Sequence, residues 1–257
     1  NNTQIFTGRG INAIPAKNMQ QGIQRANRKK AITAGLAYLL IFLFSITTNF
    51  FVFEPLLVSG DVPASLQNIR NNALLFRIGI TLWVLVLICD TVVAWALYEL
   101  FEPVHRSLAG LATVFRLLFV VLFTYSLIAY FGLEKLAADL YGNQEAPGIA
   151  AVLLHSAYYA VRISYVFFGL HILILGVLAR KSGWFHAFAP ILLFVAAIGY
   201  LTDSFLNFLS ASYGKSGYGF LLVVGLPALL AELTLTIELL VVVGRLFKKA
   251  KKEDPLH

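Results

Sequence analysis

The feature that most constrains this chain of 257 residues is a series of long apolar runs, at about 31–53, 74–98, 108–131, 152–178, 190–210 and 219–246. Each is long enough, at 1.5 Å per residue, to cross a hydrocarbon layer ~30 Å thick. A soluble core does not demand such lengths. Charged residues make up 13% of the chain and hydrophobic ones 59%, with a mean hydropathy of +0.78, where a soluble domain is about a quarter charged. The runs are continuously apolar and do not alternate every second residue, which excludes a lipid-facing barrel. Helices satisfy their own backbone polar groups in lipid. The expected fold is therefore an all-α membrane protein, a bundle of six transmembrane helices.

Charge placement orients the expected bundle. The tail 1–30, the turn 99–107, the loop 179–189 and the tail 247–257, with Arg245 beside it, together hold 14 of the 20 Lys and Arg. By the positive-inside rule both termini are cytoplasmic. The expected organisation is a polar N-terminal tail (1–30), one transmembrane domain (31–246) and a basic C-terminal tail (247–257). Tyr130, Tyr141, Tyr158, Tyr159, Tyr213 and Tyr218 fall near the opposite interface, where amphipathic rings are favoured. The net charge of +7 sits at the ends of apolar segments, where an anionic leaflet attracts it. It is a membrane signature and does not imply nucleic acid. The first run is too long for a signal-peptide core and reads as a retained span. In the loop 54–72, Asp61 and Pro63 precede a polar stretch in the pattern of a helix start, predicting a short interfacial helix.

Ionisable residues inside the spans are the informative ones, because each is costly in hydrocarbon unless paired or hydrated. They are Arg77, Asp90, Arg116, His155, Arg162, His171, Asp203, Glu232 and Glu238. The tight turn 102–107 makes the second and third spans antiparallel neighbours. Asp90 and Arg116 are nearly equidistant from it and share one depth, about 5 Å inward of the midplane. Arg162 and Asp203 share a depth about 5 Å outward of it. Two ion pairs are expected, Asp90–Arg116 and Arg162–Asp203. They either fix helix register or line a hydrated cavity. Glu232 lies near the middle of the sixth span, five residues after Pro227, with both nearby cations already assigned. A carboxyl there is stable only when neutral or wet. It is either a proton or cation site or a neutral donor of one interhelical hydrogen bond.

On the fourth span His155, Tyr159 and Arg162 return to one face within about 40°, and on the fifth Tyr200, Asp203 and Asn207 do likewise. The expected binding site combines His155, Tyr159, Arg162, Asp203 and Glu232 in a polar pocket. His171 lies on the other side of the fourth span from Arg162, and a lone histidine there reads as hydrogen-bonded structure. Asp90-Thr91 and Asp203-Ser204 form a faint echo between two three-span halves, as inverted repeats would.

Catalytic and metal signatures are missing from the sequence. It has no His-Glu-x-x-His, no paired cysteines beside the single Cys89, no phosphate loop and no nucleophile elbow. No catalytic residue, metal site or cofactor is indicated.

Several strings have a joint familiarity: LLFRIG (74–79), ALYELFEPVHRSLAGLATVFRL (96–117), FFGLHILILGVLARKSGW (167–184), GYLTDS (199–204) and AELTLT (231–236). They resemble an uncharacterised family of bacterial six-span integral membrane proteins that carries only a domain-of-unknown-function label. The resemblance runs from about residue 31 nearly to the end. It implies a bacterial cytoplasmic membrane, and the matching motif positions are Arg77, Arg116, His171, Asp203 and Glu232. The family pattern has an acid shortly before LFR, where this chain has Asn71 and Asn72, and Gly before the last-span glutamate, where Ala231 stands. Three classes of function survive. One is small-solute or proton/cation-coupled transport, or ligand sensing, at a polar site inside the bundle. Another is a non-catalytic accessory or scaffold subunit with a membrane-protein partner. The third is an intramembrane enzyme.

Overall fold

A computed structural model describes residues 16–139, 145–210 and 224–242, with side chains from Asn27 to Val241 within them. Every regular element among the described residues is helical. Among the described residues, four stretches are long and apolar enough to cross a membrane: Asn27–Leu56, Ala73–Ala138, Ala146–Ser182 and Phe188–Leu209. The fold is that of an all-α membrane protein.

Helix α1 (Ala16–Thr48) starts well before the apolar run and continues through a π-helical segment, Asn49–Phe53, to Leu56. The short helix expected in the following loop is α2 (Val62–Asn71). Asp61 caps it, its Oδ1 accepting from the Ala64 N–H at 2.9 Å, and a proline sits in its first turn.

Helix α3 (Ala73–Ala138) is 66 residues long and would span about 100 Å if straight. It does not run straight. Pro103 removes a backbone donor, and at His105 the chain is extended (φ −164°, ψ 95°). The His105 Nδ1 then accepts from the Leu108 N–H at 3.3 Å, capping the second arm. The arms fold back on each other as an antiparallel hairpin. Asp90 meets Arg116, Trp83 meets Phe123 and Phe76 meets Tyr130, each pair centred on Pro103.

Helix α4 (Ala146–Ser182) ends at Gly183, whose φ of 65° supplies the left-handed C-cap that L side chains resist. It forms a second hairpin with α5 (Phe188–Leu209), held at close range by Gly169. A Cβ on Gly169 would lie 3.2 Å from the Tyr200 Cβ and 3.3 Å from the Ala197 carbonyl oxygen. Such close backbone approach is how helices associate where lipid supplies no hydrophobic drive. Helix α6 (Leu226–Ile237) continues as a π-helical segment to Val242. Helix α3 packs on α1 and α4, α4 on α5, α5 on α6, and α6 returns to α1. The helices therefore close a ring.

Polarity is distributed unlike that of a soluble protein, with aliphatic side chains on the surface and several charges within the apolar core. Leu74, Ile88, Val121, Val152, Ile191, Ile198 and Leu209 face outward, whereas Asp90, Arg116, His171, Asp203 and Glu238 are buried. Charges inside and aliphatics outside is the arrangement that lipid selects.

Candidate functional site: a polar cavity at the centre of the ring

Arg116, in the middle of the second arm of α3, is wholly buried and organises the site. Its Nη2 donates to Asp90 Oδ1 on the first arm. Its Nη1 donates to the Tyr38 hydroxyl on α1 at 2.7 Å and to His171 Nε2 on α4 at 3.0 Å. The guanidinium lies over the Tyr38 ring at 4.8 Å and the Phe168 ring at 5.5 Å. Three helices converge on one cation.

The His171 contacts fix its proton. Nδ1 lies 2.8 Å from the Ala112 carbonyl oxygen, which can only accept. Nδ1 therefore carries the hydrogen, and the lone pair of Nε2 is left to receive Arg116. Histidine here is a neutral acceptor, so the cluster's formal charges are those of Arg116 and Asp90, which cancel.

A cavity of about 200 Å³ opens beside this cluster. Asp90 and Arg116 line it on α3, Tyr165 and Phe168 on α4, Tyr200 on α5, and Ala228 and Glu232 on α6. On α1 its lining runs from Ile41 to Asn49 and Phe50, the last two exposed at the start of the π-helical segment. Glu232 accepts from the Tyr200 hydroxyl at 3.5 Å. No ion pair to Glu232 forms among the described residues. Two buried donors at the cavity, Arg116 Nε and Trp83 Nε1, have no hydrogen-bond partner among the described residues.

The remaining intramembrane charges form separate clusters. Arg162 Nη1 donates to Asp203 Oδ2 at 2.8 Å, and its guanidinium lies 4.8 Å from the centre of the Tyr158 ring. Tyr158 donates to Asn207 Oδ1, and Asn207 Nδ2 donates to the Asp203 carbonyl at 2.8 Å. Arg77 Nη2 meets Glu134 Oε1 at 2.5 Å. His186 Nδ1 lies 2.5 Å from Glu238 Oε1, tying the start of α5 to the end of α6.

The five residues expected to form one binding pocket are thus divided. Glu232 lines the cavity. Arg162 and Asp203 join each other outside its lining, between α4 and α5. His155 and Tyr159 face outward: the His155 Nδ1 contact is to its own helix at Ala151 O, 2.7 Å away, and Tyr159 is 45% exposed. The reason is local. Tyr158 and Tyr159 stand four and three residues before Arg162, on either side of its face, and α5 packs on the Tyr158 side. Sequence reasoning gave the cavity to Arg162 and Asp203, whereas Asp90, Arg116 and Tyr200 occupy it with Glu232.

Among the described residues no group of three or more His, Cys, Asp or Glu could hold a metal ion.

Fold and site define a class: a polytopic all-α membrane protein with a buried arginine hub beside a polar cavity. The family described as "Domain of unknown function (DUF4386)" matches residues 33–242, and the chain belongs to it. An uncharacterised protein of Archaeoglobus fulgidus is 31% identical over 125 residues, which is 48% of this chain and 64% of that relative. The chain therefore spans less than two thirds of the length of that relative. No solved structure matches.

Proposed function

We propose that the chain binds a small solute or a coupling cation at the cavity beside Asp90, Arg116 and Glu232, in the service of transport or ligand sensing across a prokaryotic cytoplasmic membrane. The observation that carries this reading is Glu232. Its carboxyl lines the cavity while the arginine hub spends its charge on Asp90. A carboxyl with no cation partner among the described residues, beside a space of about 200 Å³, is an acceptor for a proton or cation brought from outside. Six spans with both termini cytoplasmic are part of the proposal and rest on the apolar runs and the placement of Lys and Arg.

The accessory-subunit reading draws support from a different observation. Arg77, Arg116, Arg162 and Glu238 all have ion-pair or histidine partners that tie together neighbouring helices or the two arms of α3. On that reading the charges hold the bundle and Glu232 has no ligand.

Proteoliposomes carrying the full chain discriminate between the two. The proposal expects uptake of protons or a monovalent cation down an imposed gradient, or a cation-dependent change in Trp fluorescence. Both are lost in Glu232→Gln. Wild-type behaviour in that variant, or no response in the wild type, contradicts it.

A further inference from the structure

The wall of the cavity is a continuous path of aromatic rings. Trp83 and Phe123 lie 4.6 Å apart between ring centres, Phe123 and Phe119 5.6 Å, Phe119 and Phe168 4.7 Å, and Phe168 and Tyr200 5.1 Å. All five line the cavity. The path ends at Tyr200, whose hydroxyl donates to Glu232.

Charge and hydration decide what such a space accepts. Asp90 and Arg116 cancel, His171 is a neutral acceptor, and an ionised Glu232 leaves one net negative charge. An anion is repelled. A strongly hydrated inorganic cation would lose water against a wall made largely of aromatic rings and aliphatic side chains. A neutral solute leaves the carboxylate uncompensated. A weakly hydrated organic cation meets both demands, with the carboxylate as counter-charge and the negative faces of the rings around its apolar surface. A dry cavity of about 150 Å³ takes one benzene ring, so the space of about 200 Å³ here limits the guest to a compact ion. We propose that the cavity is a site for a compact organic monocation of the quaternary-ammonium class. This rests on the reading of Glu232 as a ligand-facing carboxyl and adds the identity of the ligand class.

Three probes of one shape separate charge from size: choline, its neutral carbon analogue 3,3-dimethylbutanol, and the anion 3,3-dimethylbutyrate. Each is titrated into the full chain in nanodiscs, read by calorimetry and by Trp fluorescence. The expected result is choline binding at least about tenfold tighter than the alcohol, and no binding of the carboxylate. Glu232→Gln should weaken choline about tenfold, and Phe119→Leu about threefold, as removal of one ring face does. The wild-type comparison keeps the test decisive where a variant fails to fold. Equal affinity for the alcohol and choline, or unchanged choline affinity in a folded Glu232→Gln, overturns the proposal. If choline fails to bind while proton or cation uptake still depends on Glu232, the ligand class is wrong and the broader function stands. Loss of both removes both.

Discussion

Asp90→Asn isolates the electrostatic part of the arginine hub. Asparagine keeps an oxygen where Asp90 Oδ1 accepts from Arg116 Nη2, so shape and one hydrogen bond survive while the negative charge is lost. Arg116 then stands wholly buried with only neutral acceptors, the Tyr38 hydroxyl and His171 Nε2. Leaving one partner of a buried pair uncompensated costs about 3–5 kcal/mol. The retained hydrogen bond and the rings of Tyr38 and Phe168 offset some of this, so the expected loss is about 2–4 kcal/mol. Glu232→Gln removes a carboxylate of the same cavity that has no ion-pair partner among the described residues, and its expected cost is below about 1 kcal/mol. The exchange Asp90→Arg with Arg116→Asp should recover only part of the loss. His171 offers the lone pair of Nε2 to position 116, and a carboxylate there would need the imidazole to shift its proton from the Ala112 carbonyl. Unfolding of the detergent-solubilised chain by SDS titration gives the free energies. Equal stabilities of Asp90→Asn and Glu232→Gln would refute the reasoning.

Other substitutions test separate links. His171→Ala removes an acceptor from Arg116 and a donor from the Ala112 carbonyl, and should cost about 1–3 kcal/mol in the same titration. Gly169→Val forces a Cβ against Tyr200 and the Ala197 carbonyl. It should destabilise by about 1–3 kcal/mol, and by displacing Tyr200 it should also raise the choline concentration that half-saturates the Glu232 site. Asp61→Ala removes the N-cap of α2. It should cost about 1 kcal/mol locally, read as faster amide exchange at Ala64 and Ser65 with the exchange of α3 unchanged.

Much of the architecture was legible because it follows from spacing. The turn around Pro103 placed Asp90 and Arg116 at one height, and the structure joins them; depth alone brought Arg162 to Asp203. The site was less legible because depth says nothing of rotation about a helix axis. His155 and Tyr159 share a face with Arg162 on paper, but the side on which α5 packs decided between Tyr158 and Tyr159. The His171 contact was missed for another reason. Its depth matches that of Arg116, yet the search paired cations with acids and left neutral acceptors aside. Tyr38 gave no signal within its apolar run. Glu134 was read as a loop residue because helix α3 runs to Ala138, beyond its apolar run, whereas His186 does lie in the loop before α5 and meets Glu238 from there.

The account turns on whether Glu232 meets water. The direct measurement is accessibility of a single cysteine at that position, in a Cys89→Ala background that removes the one native thiol, with the chain in sealed membrane vesicles. The account predicts that Glu232→Cys reacts with a small charged methanethiosulfonate added from the aqueous phase. A cysteine in place of outward-facing Ile198 should stay unreactive. A Glu232→Cys as inert as Ile198→Cys would contradict the account, leaving the cavity dry and the intramembrane charges as fastenings between helices.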